Sequence, residues 1–271
     1  MGTDATEQED YRDGLTRCGT TEFDGLVDRI GGILHLLDVV PVTEHTLYSS
    51  CCDLMKALAR FQANRGRWTR MTEADVLLLQ KHMVFTLMVP GGRADKARTA
   101  VERLEGIYHV LPVADDLVFT PEKETDVFNA IGGWVRFPRQ KADRVVLALA
   151  NWQGIRTALA AAVRLNEPVP ALRKQVMKMI KGYGKKAASH FMRNTGLMCG
   201  WNALPIIDTH IHKALESLNF RHDGYEEAES SYSTLAQLVQ VPPLYLDAVL
   251  WCAYSKNWDI THSDFDNFNY Q

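Results

Sequence analysis

The stretch Leu172-Arg-Lys-Gln-Val-Met-Lys-Met-Ile180, Lys181-Gly-Tyr-Gly-Lys185, Lys186-Ala-Ala-Ser-His-Phe-Met-Arg-Asn194 decides the fold of this chain. It reads as a helix, a tight turn and a second helix. Gly182 and Gly184 permit positive φ and a close approach of another backbone. The turn leaves free backbone N–H groups at the start of the second helix. Together with the helix dipole they favour an anion there, such as a phosphate. Ala187 and Ala188 are small enough for the second helix to pack closely on the first. Lys186 falls in the first turn of that helix, where the dipole disfavours a cation.

Charge around this stretch is one-sided. No acidic residue occurs between Glu167 and Asp208, and the same span carries Arg173, Lys174, Lys178, Lys181, Lys185, Lys186 and Arg193. The whole chain of 271 residues has a formal net charge of -3, so a basic run inside it points to an anion site rather than to bulk composition. Lysines of this kind add affinity for a phosphate backbone without reading sequence.

Outward from the hairpin, helical periodicity dominates. Leu26, Ile30, Ile33, Leu34 and Leu37 recur at helical spacing, as do Val76, Leu79, Met83 and Leu87. Breakers separate the segments at Pro90-Gly91-Gly92, Pro112, Pro121, Gly132-Gly133, Pro138, Pro168 and Pro170. Short strands are expected only at His109–Val113 and Asp116–Phe119. The pattern predicts an all-α fold of about a dozen helices.

Hydrophobic residues make up 46% and charged residues 23%, ordinary values for a globular protein. No apolar run reaches the length of a bilayer-spanning helix, and Met1 to Asp10 has no apolar segment. A cytoplasmic monomer without a membrane partner is expected. The five cysteines, Cys18, Cys51, Cys52, Cys199 and Cys252, include no C-x-x-C pair and lack the spacing of an iron–sulfur cluster. Neither a metal nor a cofactor is expected.

Asp208 ends the apolar run Leu204-Pro-Ile-Ile and precedes a helical pattern, Thr209-His-Ile-His-Lys-Ala-Leu215. It is placed to cap that helix by accepting the N–H groups of its first turn.

Gly182-Tyr-Gly-Lys-Lys186-Ala followed by Ile207-Asp208-Thr-His-Ile211 resembles the helix-hairpin-helix DNA glycosylase superfamily, which includes endonuclease III and the 8-oxoguanine DNA glycosylases. Other segments are similar to the compact 8-oxoguanine glycosylases of archaea and bacteria. They are Phe85–Lys96, Val135–Arg144, Ala188–Asn194 and Leu246–Trp251, and the resemblance spans about residues 73–256. It implies a cleft between two helical subdomains. One is formed by residues 1–72 with 206–271; the other is a bundle over 73–205 that holds the hairpin at about 170–195. It also implies double-stranded DNA carrying a damaged or modified base as partner, Lys186 as nucleophile and Asp208 as its carboxylate partner. The base leaves the stack, Lys186 attacks C1′, and a Schiff base leads to β-elimination.

Phosphate contacts are expected from Lys181, Gly182, Tyr183, Gly184, Lys185, His190, Arg193 and, upstream, Arg139. Met88, Trp134, Phe137, Trp251 and Tyr254 are candidates to stack on the base, though each such residue is more often simple core. Gly91 and Gly92 stand where the resembled enzymes carry a polar turn, which leaves room for a larger base. Two substrates follow: 8-oxoguanine in repair, or a bulky modified base such as those of phage DNA in defence. Two further readings remain. A non-catalytic DNA-binding module would use the hairpin alone. The motif Asp208-Thr-His210-Ile-His212 also matches the metal motif of barrel amidohydrolases, a fold of about 250 residues with alternating strands.

Overall fold

In the computed structural model, residues 20–37, 44–107, 111, 118 and 120–255 are described. Among them are twelve α-helices, one short 3₁₀ turn and no strand. The helices are α1 (Thr20–Leu36), α2 (Glu44–Arg67), α3 (Glu73–Met88), α4 (Ala94–Glu105), α5 (Pro121–Ile131) and α6 (Pro138–Ala150). They continue with α7 (Trp152–Arg164), α8 (Val169–Met179), α9 (Lys185–Asn194), α10 (Thr209–Ser217), α11 (Tyr225–Leu238) and α12 (Pro243–Ser255). The all-α expectation holds. The two expected strands fall almost wholly outside the described residues; Leu111 and Val118, the described members, are not in strands.

The ends of these helices follow local chemistry. Thr72 and Asp75 form a reciprocal capping box at the start of α3. Prolines open α5 and α6, where a missing N–H costs nothing. Thr120 caps α5 by accepting the N–H of Lys123.

The sequence gives α3 one apolar face, but the structure buries it nearly all round. Gln80, His82 and Thr86 are enclosed along with Leu79, Met83, Phe85 and Met88. The reason is position: α4, α6 and α9 all pack against α3, so it is the central helix of its bundle. Around it α4 packs on α5, α5 on α6, α6 on α7, α7 on α8 and α8 on α9. The remaining helices also pack on one another: α10 on α11 and α12, α11 on α12, and α12 on α1 and α2.

Helix α9 joins the two groups by packing on α2 as well as α3. Every residue from Ala187 to Asn194 is buried. The carbonyls at its C-terminal end, which lack partners within the helix, receive side-chain donors from the end of α2 and the turn after it: Asn64 Nδ2 reaches Asn194 O at 2.7 Å and Trp68 Nε1 reaches Thr195 O at 3.0 Å.

Candidate active site

The hairpin forms as α8, a turn over 180–184, and α9. Gly182 takes φ +100°, a conformation that favours glycine, and a Cβ there would stand 2.5 Å from Cδ of Arg144, whose side chain would have to move. Gly184 differs from expectation. It adopts an extended φ of -94° as the N-cap of α9, with no side-chain bond at that end of the helix. The first N–H groups of α9 are therefore without a capping side chain, the condition under which a helix N-terminus holds an anion.

Tyr183 is not a surface residue. It is 6% exposed and points into the bundle, where its hydroxyl donates to Met83 O at 2.9 Å and meets Thr86 Oγ1. Burial pushes this phenol well above its ordinary range. A phosphate contact through its side chain is thus replaced by an anchor that fixes the turn to α3.

Lys186 follows the turn by one helical residue, with its side chain 44% exposed. Its Nζ lies 4.0 Å from Asp208 Oδ2. Asp208 is the N-cap of α10, and its Oδ1 accepts the N–H groups of His210 at 2.8 Å and Ile211 at 3.0 Å. One carboxylate oxygen thus holds the helix end and the other faces the amine. The cap removes the rotational freedom that a free Asp side chain would have, so the carboxylate is fixed before any ligand arrives.

The basic run divides between surface and interior. Lys174, Lys178 and Lys181 are exposed. Lys185 pairs with Glu226 of α11 and lies 5.8 Å over the Tyr225 ring. Arg173 is buried and forms a two-pronged bond to Glu229, the second arm at 2.9 Å. His190 and Arg193 are 5% and 4% exposed, so the expected phosphate contacts from these two are corrected. His190 packs edge-on against Phe85, and burial, helped by the charges of Arg193 and Lys186, keeps its imidazole neutral. Arg193 faces Asp247 of α12 at 3.6 Å and covers Phe61.

The pocket candidates fall into two neighbourhoods. In the first, Met88 is buried in the core and presents no surface. Gly91, at φ +72°, and Gly92 are exposed. The turn they form is held from α6: Lys141 Nζ donates to Met88 O and, at 3.0 Å, to Pro90 O, while Arg136 Nη1 reaches Gly91 O at 3.4 Å. Lys141 is only 3% exposed, and burial, then the charges of Arg144 and Arg136, pull its ammonium down to about 8. Phe137 is 65% exposed and held at φ +57°, with the Arg136 guanidinium 5.7 Å from its ring. Trp134 is half-buried with Arg103 above it, and Arg139 is exposed over Phe128. In the second neighbourhood Trp251 is half-buried and meets His210 edge-on at 6.0 Å; Tyr254 is also half-buried.

The D-x-H-x-H reading fails here. The segment is helical, so residues two apart diverge, and His212 Nδ1 instead faces His222 Nε2 at 2.6 Å. Among the described residues no three His, Cys, Asp or Glu side chains are grouped to hold a metal ion. Lys141 and Asp247 went unnoticed in the sequence. The only local sign of Lys141 was its place near the start of α6, beside Arg136, Arg139 and Arg144.

Residues 68–240 match the family described as 8-oxoguanine DNA glycosylase. The chain belongs to this family. A relative from Metallosphaera sedula, named 8-oxoguanine DNA glycosylase/AP lyase, is 29% identical over 159 residues, covering 56% of this chain and 75% of its own. One of the same name from Fusobacterium nucleatum is 26% identical over 202 residues, covering 71% and 85%. The fold is similar to that of the 8-oxoguanine DNA glycosylase of Thermotoga maritima, with a TM-score of 0.56 at 18% identity over 85% of this chain and 96% of that one. The Methanocaldococcus jannaschii enzyme gives 0.56 at 19% identity over 84% and 94%.

Proposed function

We propose that this protein is a DNA glycosylase with AP lyase activity, acting on double-stranded DNA through Lys186 and Asp208. The observation that carries the reading is the Lys186 amine 4.0 Å from a carboxylate oxygen whose partner oxygen is fixed by a helix cap. Relatives that share the family are named for the same two activities.

In this reading the free N–H groups at the start of α9 hold a phosphate, and Lys174, Lys178 and Lys181 add attraction without sequence preference. The target nucleotide leaves the stack, since its C1′ is otherwise out of reach of a side chain. Phe137 supports the gap: an aromatic ring held exposed on a left-handed backbone suits insertion between bases better than packing. The neutral amine of Lys186 attacks C1′, and the base leaves with the electrons of its glycosidic bond and takes up a proton. Asp208 stabilises the positive charge that develops on the sugar and accepts the proton lost by the amine. The sugar ring then opens to a Schiff base, a proton leaves C2′, and the 3′ phosphate is expelled.

The first substrate to test is 8-oxoguanine. The side-chain-free turn at Gly91-Gly92 favours a bulkier base as second reading. Borohydride trapping on a panel of duplexes separates them. The panel holds an abasic site, 8-oxoguanine opposite each base, oxidised pyrimidines and glucosylated hydroxymethylcytosine. An adduct lost in Lys186→Gln is the expected result, and the base that traps fastest names the substrate. An adduct that survives this substitution, or none on the abasic duplex, overturns the assignment of the nucleophile.

A further inference from the structure

Asp247 lies on α12, far in sequence from both members of the proposed pair, and is 4% exposed. Its Oδ1 accepts the backbone N–H of Ile206 at 3.2 Å. Its Oδ2 faces Arg193 Nη1 at 3.6 Å. Ile206 stands two residues before Asp208, and Arg193 stands two helical turns after Lys186 on α9. One carboxylate therefore ties the segment that delivers the carboxylate partner to the helix that delivers the amine.

We propose that Asp247 is a positioning residue that sets the register between Lys186 and Asp208 through Arg193 and the Ile206 N–H. This rests on the functional reading above. A charge buried between two elements is costly to keep, and removing one partner leaves the other uncompensated, so the pair ties the two elements together. The Arg193 partner is itself held in place. Arg193 Nε donates to Asn194 Oδ1 at 3.0 Å and its guanidinium lies over Phe61 of α2.

The charged and titratable groups around Asp247 are Arg193 and Lys186 from α9, Asp208 ahead of α10, and Tyr225 and Tyr232 from α11. Asp24, Asp28, Arg29 and His35 of α1, and Lys56 and Arg60 of α2, are turned to solvent. Burial raises the Asp247 carboxyl to about 7, Asp208 adds to the rise, and Arg193 opposes it. The bridge is thus an ion pair above neutrality and a neutral contact below it.

The test is the single-turnover rate of borohydride trapping on an abasic duplex between pH 5.5 and 8.5, for the unsubstituted protein, Asp247→Asn and Arg193→Gln. Asn keeps the shape and an acceptor for Ile206 but mimics the protonated state at every pH. At pH 8 it is expected to trap about tenfold more slowly, the scale on which a small displacement of a reacting group acts. The deficit should close as pH falls through 7, because the unsubstituted protein then loses the same charge. Arg193→Gln removes the cationic partner of the bridge and should trap slowly across the whole range, with the step flattened; it also keeps the test open if Asp247→Asn does not fold. A purely structural Asp247 would lower thermal stability yet leave a constant ratio of rates across pH, and that result overturns the inference. Equal rates for Asp247→Asn and the unsubstituted protein at pH 8 overturn it as well, while leaving Lys186 in place. Absence of any adduct with the unsubstituted protein overturns the Lys186 reading and this inference together.

Discussion

Two turns of the bundle, over 180–184 and over 89–92, are held in opposite ways. The turn over 180–184 is anchored from inside by its own Tyr183, whose ring is buried and whose hydroxyl bonds to α3. The turn over 89–92, Val-Pro-Gly-Gly, has only the half-buried Val89 against the core and no polar side chain of its own. Its carbonyls are gripped from another helix by Lys141 and Arg136. A buried ring holds at any pH or salt concentration; a lysine clamp grips its carbonyls less tightly once it has lost its charge. The first turn is built to be permanent and the second is conditional.

The largest expected effect breaks the permanent turn. Tyr183→Ala removes a buried ring and should cost about 3–5 kcal/mol in urea unfolding. Tyr183→Phe, which removes only the hydroxyl bonds, should cost about 1–2 kcal/mol. A Tyr183→Ala protein as stable as the parent would show that the peg does not hold the turn.

The next effect sharpens the contrast through pH. Lys141 is pulled from 10.5 to about 8, so it loses its proton in the folded state at lower pH than in the unfolded chain. Between pH 8 and 10.5 the unfolded state binds more protons, and the contribution of Lys141 to stability, measured against Lys141→Met, should rise with pH over that interval. Loss of the charge also weakens the clamp. Amide order parameters should therefore fall at Gly91 and Gly92 as pH passes about 8 and stay constant at Gly182 and Gly184. Parallel behaviour at the two turns would end the distinction.

Smaller effects test the outer face of the hairpin. Lys181→Ala should lower the slope of log affinity for DNA against log salt by about 1. Glu226→Gln releases Lys185 and should tighten duplex binding by about twofold, since an exposed ion pair is worth little. Weaker binding in that variant would place Glu226, rather than Lys185, in the interface.

What the sequence made legible was local. The Asp208 cap needs only the residues that follow it, and the hairpin needs only its glycines and periodicity, so both were readable without coordinates. The fate of each cation was not. Arg173, Lys185 and Arg193 belong to the same basic run as Lys181, but Glu229, Glu226 and Asp247 arrive from α11 and α12 and turn them inward or occupy them. Lys141 was invisible for a related reason: its acceptors are backbone carbonyls, which no residue type announces. The periodicity of α3 suggested one face because the elements that enclose its other side lie elsewhere in the chain.

The Tyr183 peg has a consequence for binding thermodynamics. A loop that grips phosphate only after DNA arrives must surrender backbone freedom at that moment, and affinity falls by the same amount. Here the N–H groups at the start of α9 are already ordered by a ring lodged in the protein interior. Ordering of this segment is completed during folding, so a phosphate held there as proposed meets a rigid cradle, and no binding free energy is lost to arranging it.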